Sequence, residues 1–232
     1  MYDIHTHILP GIDDGSRSVE ESVQMLRLLQ QYGVHTVVAT PHYDQEHAAD
    51  SFFERRADAY GQLLPHCDGL PRLVLGAEVL LHPGLSAQRR LRELCIGETD
   101  YILIEMPYTR WQDWVFDELF VLIAKCGLHP VIAHLDRYVH LETEGQIRKL
   151  LHMEVYAQLN ADALAHPFRR KTGKHLLESG KVQFLGSDCH NLSTRTPLCF
   201  QQTVQFIRKR WGQDVLEQFW RHARCMLENQ LI

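Results

Sequence analysis

Seven short runs rich in Val, Ile and Leu alternate along this chain with longer segments of helical period. They lie at roughly 2–5, 35–40, 73–78, 101–105, 130–134, 155–160 and 182–187. Six of them run out at or just before a histidine or a carboxylate: His5 and His7, His42, Glu78, Glu105, His134, and Asp188 with His190. The seventh runs out at Asn160. Such alternation is the pattern of parallel strands joined by crossover helices. In a barrel of parallel strands the functional groups gather at the carboxyl ends. The chain is therefore expected to be an α/β fold in which ligand-type side chains from distant segments meet on one rim.

The helical segments carry their own punctuation. Ser18 with Glu21 has the spacing of a capping box, Val19, Val23, Leu26 and Leu29 share a face, and Gly33 stops the helix. Thr143 with Gln146 repeats the capping signal, while Gly127 and Gly180 punctuate later helices. Two helices after Pro197, separated near Gly212, offer Phe200, Val204, Ile207, Trp211, Leu216, Phe219 and Trp220 to the core. No low-complexity linker or repeat interrupts this rhythm, so residues 1–232 are expected to form one domain, and 45% hydrophobic content is ample for its core. Stretches 43–70 and 106–118 are the expected elaborated loops.

The pairs His5-Thr6-His7 and Asp188-Cys189-His190 are the strongest chemical signals, because side chains at i and i+2 of an extended chain face the same side and can point at one cation. Glu78 and Glu105 each end an apolar run, where an unpaired carboxylate is costly and a cation is the economical partner. His134 after Val131-Ile132-Ala133 follows the same logic, with a hydrogen-bonded core histidine as the alternative. His42 follows Ala39-Thr40-Pro41, and its alternative is a loop histidine fixed by the proline. Asp14 lies in Gly11-Ile12-Asp13-Asp14-Gly15, where turn chemistry alone would justify Asp and Gly. It is assigned as a ligand because the loop starts beside His5 and His7. Of the fifteen histidines, others such as His35, His66 and His175 read as surface or satisfied core residues. The inventory is too large for one ion and predicts a multinuclear metallohydrolase.

A formal charge of −5 with no Lys/Arg block argues against a general nucleic-acid binder. Four of the carboxylates are themselves ligand candidates, so the loaded pocket would be cationic. Six cysteines, at 67, 95, 126, 189, 199 and 225, form no C-x-x-C pair, which predicts reduced thiols and no disulfide framework. With a ligand candidate at residue 5 no signal peptide is expected, and no apolar run approaches the ~20 residues of a bilayer span. A cytoplasmic protein without direct membrane insertion is the expectation.

Together these positions resemble the polymerase and histidinol phosphatase (PHP) superfamily. The segments His5-Thr6-His7-Ile8-Leu9-Pro10-Gly11-Ile12-Asp13-Asp14-Gly15, Ala39-Thr40-Pro41-His42, Gly76-Ala77-Glu78 and Gly186-Ser187-Asp188-Cys189-His190 are most similar to its bacterial tyrosine phosphatases encoded with capsule and exopolysaccharide genes. The likeness runs from residue 3 to about residue 200. It implies a distorted seven-stranded (β/α)7 barrel and three divalent ions, Mn²⁺ foremost, with Mg²⁺, Fe or Zn²⁺ as alternatives. One ion would take His5, His7, Glu78 and Asp188, a second Asp14, His42 and His190, and a third Glu105 and His134, with Glu78 bridging to the first. A carboxylate at Glu105, where the superfamily often has His, resembles the tyrosine phosphatase branch and favours hard, oxygen-tolerant Mn²⁺ or Mg²⁺. The activity implied is removal of phosphate from the tyrosine-rich tail of a membrane-associated tyrosine autokinase. Histidinol-phosphate or nucleotide and DNA phosphoester hydrolysis are the rival reactions of the superfamily, and a non-catalytic regulator that docks such a tail is a rival of another class.

Arg137, three residues past His134, and Arg195, five past His190, are the candidates for bidentate contacts to phosphate, a surface arginine being the alternative for each. Tyr108, Trp111 and Trp114 are candidates either to stack on a phosphotyrosine ring or to pack a lid. Cys189 to Arg195 also satisfies the C-x5-R formula of cysteine-dependent phosphatases. No glycine opens that loop to cradle phosphate, and Asp188 and His190 on either side are wanted as ligands, so a thiolate mechanism is rejected.

Overall fold

The structure, a computed structural model, describes residues 1–44 and 49–232. Its strands are β1 (Tyr2–Thr6), β2 (Thr36–Ala39), β3 (His42–Tyr43), β4 (Arg72–Leu75), β5 (Glu78–Leu80), β6 (Tyr101–Glu105), β7 (His129–Ile132), β8 (Tyr156–Asn160) and β9 (Phe184–Gly186). Every pairing among them is parallel, in the orders β1-β2-β4 and β3-β5-β6-β7-β8-β9. The run expected at 73–78 is split at Gly76-Ala77, and the one expected at 35–40 is followed, past Thr40-Pro41, by the short extra strand β3. Pro41 has no N–H to give to a ladder and restricts the residue before it. The ladder nonetheless carries across, with the Gly76 N–H donating to Ala39 O at 2.8 Å and the Glu78 N–H to Pro41 O at 3.0 Å. The first and last strands also meet: the Asp188 N–H donates to His5 O at 2.8 Å and the His7 N–H to Cys189 O at 2.9 Å. The result is an α/β architecture built on a curled parallel sheet.

The helices are α1 (Val19–Gln31), α2 (Ala49–Leu63), α3 (Asp113–Ala124), α4 (Leu135–Tyr138), α5 (Glu144–Leu151), α6 (Asp162–Ala165), α7 (Arg170–Glu178), α8 (Leu198–Trp211) and α9 (Gln213–Leu227). Ser18 caps α1 by accepting from the Glu21 N–H, and Thr143 caps α5 by accepting from the Gln146 N–H. Met25, Leu26 and Leu29 of α1 are fully buried, whereas Val19 and Val23 only flank the core. Of the stretches expected as loops, 43–70 is largely helical and 106–118 becomes helical from Asp113. Phe52, Ala59 and Leu63 recur at helical spacing and are buried in α2, as are Val115, Leu119 and Leu122 in α3. Residues 45–48 of the first stretch lie outside the described residues. After Pro197 the two closing helices bury Phe200, Val204, Ile207, Leu216 and Phe219, with Trp211 and Trp220 packed at the edge. All six cysteines are free. Among the described residues no helix is long and apolar enough to cross a membrane.

Candidate metal centre

His5 in β1 and His7 just past its end point their Nε2 atoms at each other, 3.2 Å apart. Glu78, which opens β5, brings Oε2 to 3.1 Å from both. Asp188, two residues past β9, brings Oδ1 to 3.6 and 3.4 Å from the same nitrogens. A second set forms around Asp14, whose Oδ1 lies 3.5 Å from His42 Nε2 and 3.3 Å from His190 Nε2, with His7 close by. A third joins Glu105 at the end of β6 to Glu78 and His42, the His42 Nδ1 lying 3.2 Å from Glu78 and 4.0 Å from Glu105. His134, past the end of β7, sets Nε2 2.7 Å from Glu78 and 3.6 Å from Glu105. All nine ligand candidates therefore meet on one rim. Compared with the expected grouping, His7 also reaches the Asp14 set and His42 also reaches the Glu105 set.

Separations of 3.1–3.6 Å between such atoms are those of ligands sharing a cation. Donors about 2.1 Å from an octahedral ion stand about 3 Å apart. Asp188 is the clearest case. Its Oδ2 is saturated by Asn160 Nδ2 at 2.9 Å and by the guanidiniums of Arg137 and Arg195. Its Oδ1 is buried with no hydrogen-bond donor among the described residues, and faces three imidazoles. A buried charged oxygen without a donor is costly unless something positive fills the gap. The donor set of imidazoles and carboxylates fits divalent ions. Arg195 Nη1, 2.7 Å from His190 Nε2 and 3.8 Å from Asp14, supplies one positive charge to the second set.

A supporting shell holds the rings. Asp13 Oδ2 accepts from His7 Nδ1 at 2.8 Å and from the His42 N–H at 3.0 Å, and Oδ1 accepts from the Gly15 N–H. Gln158 Oε1 accepts from His5 Nδ1 at 3.3 Å and from the His134 N–H at 2.6 Å. With Nδ1 thus engaged, Nε2 of His5 and His7 is the nitrogen presented to an ion. Neither Asp13 nor Gln158 is among the residues expected from sequence. Gln158 lies two residues before Asn160 on β8, so period-two alternation points both to one face. Asp13 beside Asp14 looks like a second turn residue, and no spacing tells which of the two supports and which faces the centre.

The backbone is bent to aim these groups. His134 and Asp188 have φ of +33° and +53°, a left-handed region that costs non-glycine residues about 1–3 kcal/mol each and clusters at functional sites. Two glycines make room: a Cβ on Gly186 would lie 2.7 Å from His5 Cβ, and one on Gly15 would lie 2.5 Å from His7 Cβ.

Burial, and then the charge on Glu78, push Glu105 up to about 7. Burial drives His134 down to about 4 and His190 to about 3, so both stay neutral, the form that ligates metals. Burial alone would raise Glu78 and Asp188, but neighbouring groups led by His5 outweigh it and hold both well below the ordinary carboxylate range. Burial likewise opposes charge on His5 and His7. It is overcome by Glu78 and Asp188 at His5, and by Asp13 at His7, which raise both imidazoles. In this electrostatic setting protons on imidazole stand where divalent cations would serve.

Arg137 and Arg195 both reach the centre through Asp188, and Arg137 Nη1 also donates to Tyr108 Oη at 3.2 Å. Tyr108 is 51% exposed at the mouth. Trp111 is buried, its Nε1 donating to Pro107 O, and Trp114 packs at the core edge, so these two belong to the scaffold. Cys189 is fully buried and burial pushes its thiol well up, which leaves no thiolate to attack phosphate. His35 pairs with Thr36 near Tyr2, while His66 and His175 are at the surface.

The family model described as capsular polysaccharide synthesis, CpsB/CapC, matches residues 1–228. The chain is 31% identical over 250 residues to tyrosine-protein phosphatase CpsB of Streptococcus pneumoniae, covering all of both proteins. It is 29% identical over 242 residues to tyrosine-protein phosphatase YwqE of Bacillus subtilis, covering 100% of this chain and 93% of that one. A crystal structure from the pair YwqE and CpsB, metal-dependent tyrosine phosphatases, superposes with a TM-score of 0.81 at 28% identity, over 100% of this chain and 96% of the other.

Proposed function

The chain belongs to the CpsB/CapC family of capsular polysaccharide synthesis, and from that premise we propose that it is a metal-dependent protein-tyrosine phosphatase acting on the tyrosine-rich tail of a membrane-associated tyrosine autokinase. Both curated relatives named above are tyrosine-protein phosphatases, and the matching crystal structure is of metal-dependent ones. The observation that carries the reading is the meeting of five imidazoles and four carboxylates beside two guanidiniums. We assign His5, His7, Glu78 and Asp188 to one ion, Asp14, His42 and His190 to a second, and Glu105 and His134 to a third that shares Glu78. His7, within reach of two sets, goes to the first because its Nε2 faces that of His5. Four carboxylates in the set favour Mn²⁺ or Mg²⁺ over zinc.

When bound, such ions polarise phosphoryl oxygens and lower the pKa of attacking water. The chain's own residues do the rest. Arg137 and Arg195 hold the phosphoryl oxygens as charge builds on them. Asp13 and Gln158 keep the ligating rings turned inward, and Asn160 holds Asp188. No covalent phosphoenzyme is needed, and phenoxide, with a pKa of about 10, is a fair leaving group.

In the same reading, the pairs β2 with β3 and β4 with β5 are single strands interrupted by Thr40-Pro41 and Gly76-Ala77. The sheet is then a distorted (β/α)7 barrel in one domain spanning residues 1–232. Free cysteines suit the cytoplasm, where the tail of a membrane-associated kinase is reached without membrane insertion. The test compares kcat/KM of the Mn²⁺-loaded protein on a phosphotyrosyl peptide, histidinol phosphate and single-stranded DNA. The peptide is expected to lead by orders of magnitude; a lead for either of the others would assign a different phosphoesterase activity.

A further inference from the structure

A cavity of about 280 Å³ opens directly beside the centre. Its lining joins Arg137, Asp188 and Arg195 to the apolar Ala165, Pro167 and Leu198 among further, mostly polar, side chains. We propose that this cavity seats the aryl ring of the phosphotyrosyl side chain and makes the enzyme prefer aryl over alkyl phosphates. The inference rests on the phosphatase reading above and assigns its specificity to named residues.

Size, chemistry and position agree. An apolar cavity of about 150 Å³ is enough to hold benzene, and drug-sized ligands need roughly 300–1,000 Å³, so this volume suits a single aromatic side chain. Ala165, Pro167 and Leu198 give an otherwise polar lining an apolar strip beside the two guanidiniums, which matches a flat apolar ring that ends in a dianion. The ring of Phe168, 91% exposed, lies 5.6 Å from that of His166, which lines the same cavity, and so adds an aromatic face at its rim. A phosphoseryl group has no ring to occupy the walls and forgoes that contact. A second cavity, about 300 Å³, is lined by Asp13, Asp14 and Asp44 together with Arg55. It offers one arginine, Arg55, where the first cavity offers two that converge on Asp188, which favours the first as the seat of a phosphorylated side chain.

Leu198 is 43% exposed and Pro167 is also at the surface, so substitutions there spare the core. The experiment measures the ratio of kcat/KM for a phosphotyrosyl peptide to that for the matching phosphoseryl peptide, with Mn²⁺, in the wild type, Leu198→Trp and Pro167→Gly. Calorimetry with a peptide carrying a non-hydrolysable phosphonomethyl-phenylalanine, set against inorganic phosphate, gives a second readout. The ratio is expected to fall at least about tenfold in Leu198→Trp, mainly through KM, and severalfold in Pro167→Gly, with the phosphonate weakened relative to phosphate in step. A wild type that cleaves the phosphotyrosyl peptide while both variants keep its ratio within about twofold overturns the cavity assignment. A Mn²⁺-loaded wild type that releases no phosphate from that peptide overturns the phosphatase reading, and this inference with it.

Discussion

Asp13 takes hold of His7 through Nδ1 and of the next ligand segment through the His42 N–H, so one carboxylate sets the aim of two imidazoles. Supporting carboxylates of this kind typically contribute 10–100-fold to metal affinity or activity. Asp13→Asn is therefore expected to raise the Mn²⁺ concentration for half-maximal activity by about that factor, read from activation curves, with little change in kcat at saturating metal. His190→Ala is expected to abolish turnover and Cys189→Ser to keep most of it, because the thiol is buried and protonated whereas the imidazole faces Asp14. Asp136 offers a test by pH. It is buried, accepts from the Asn160 N–H at 3.0 Å, and burial pushes its carboxyl up to about 7. The folded chain thus keeps a proton that the unfolded chain releases near pH 4, so this carboxyl's contribution to stability falls as pH rises from about 4 to 7, by at most about 1.4 kcal/mol per pH unit. Denaturation of the metal-free protein and its Asp136→Asn variant at pH 4.5 and 7.5 checks the sign: the advantage of the variant must grow with pH.

At the scale of elements, the site depends on the seam between β1 and β9. Gly186 leaves no space beside His5 Cβ and Gln158 Nε2, the latter 2.8 Å from where a Cβ would be. Gly186→Ala must spread that seam, and it is expected to cost more in activity than in melting temperature. Ser18→Ala, by contrast, removes only the cap of α1 and is expected to lower stability by about 1 kcal/mol with kcat/KM unchanged. The two helix caps and the H-x-H and D-x-H pairs were legible because they follow local spacings of three and two residues. The interruptions at Pro41 and Gly76 were less so: the apolar run continues through Gly76, while the run before Pro41 gives no sign that a strand resumes at His42. Helix α2 is hidden in the sequence because polar and charged residues separate Phe52, Ala59 and Leu63 and mask their common face. The left-handed turns at His134 and Asp188 leave no mark in the sequence at all, since nothing about either residue type requires them.

At the scale of the whole molecule, a curled parallel sheet spends its strand ends on one cluster of imidazoles and carboxylates that metal ions would complete. Asp188 Oδ1, buried and without a donor among the described residues, is the sharpest sign of it. The cluster concentrates carboxylates that the metal-free chain offsets with protonated histidines, so binding ions in the folded state alone must stabilise the fold by mass action, about 2.7 kcal/mol per site at one hundred times Kd. The most direct measurement strips the protein with EDTA, verifies metal content by elemental analysis, and follows phosphate release from a phosphotyrosyl peptide as Mn²⁺ is returned. Turnover is expected to vanish on stripping and to return in proportion to bound metal, saturating near three ions per chain. Undiminished turnover in protein shown to be metal-free would contradict the account.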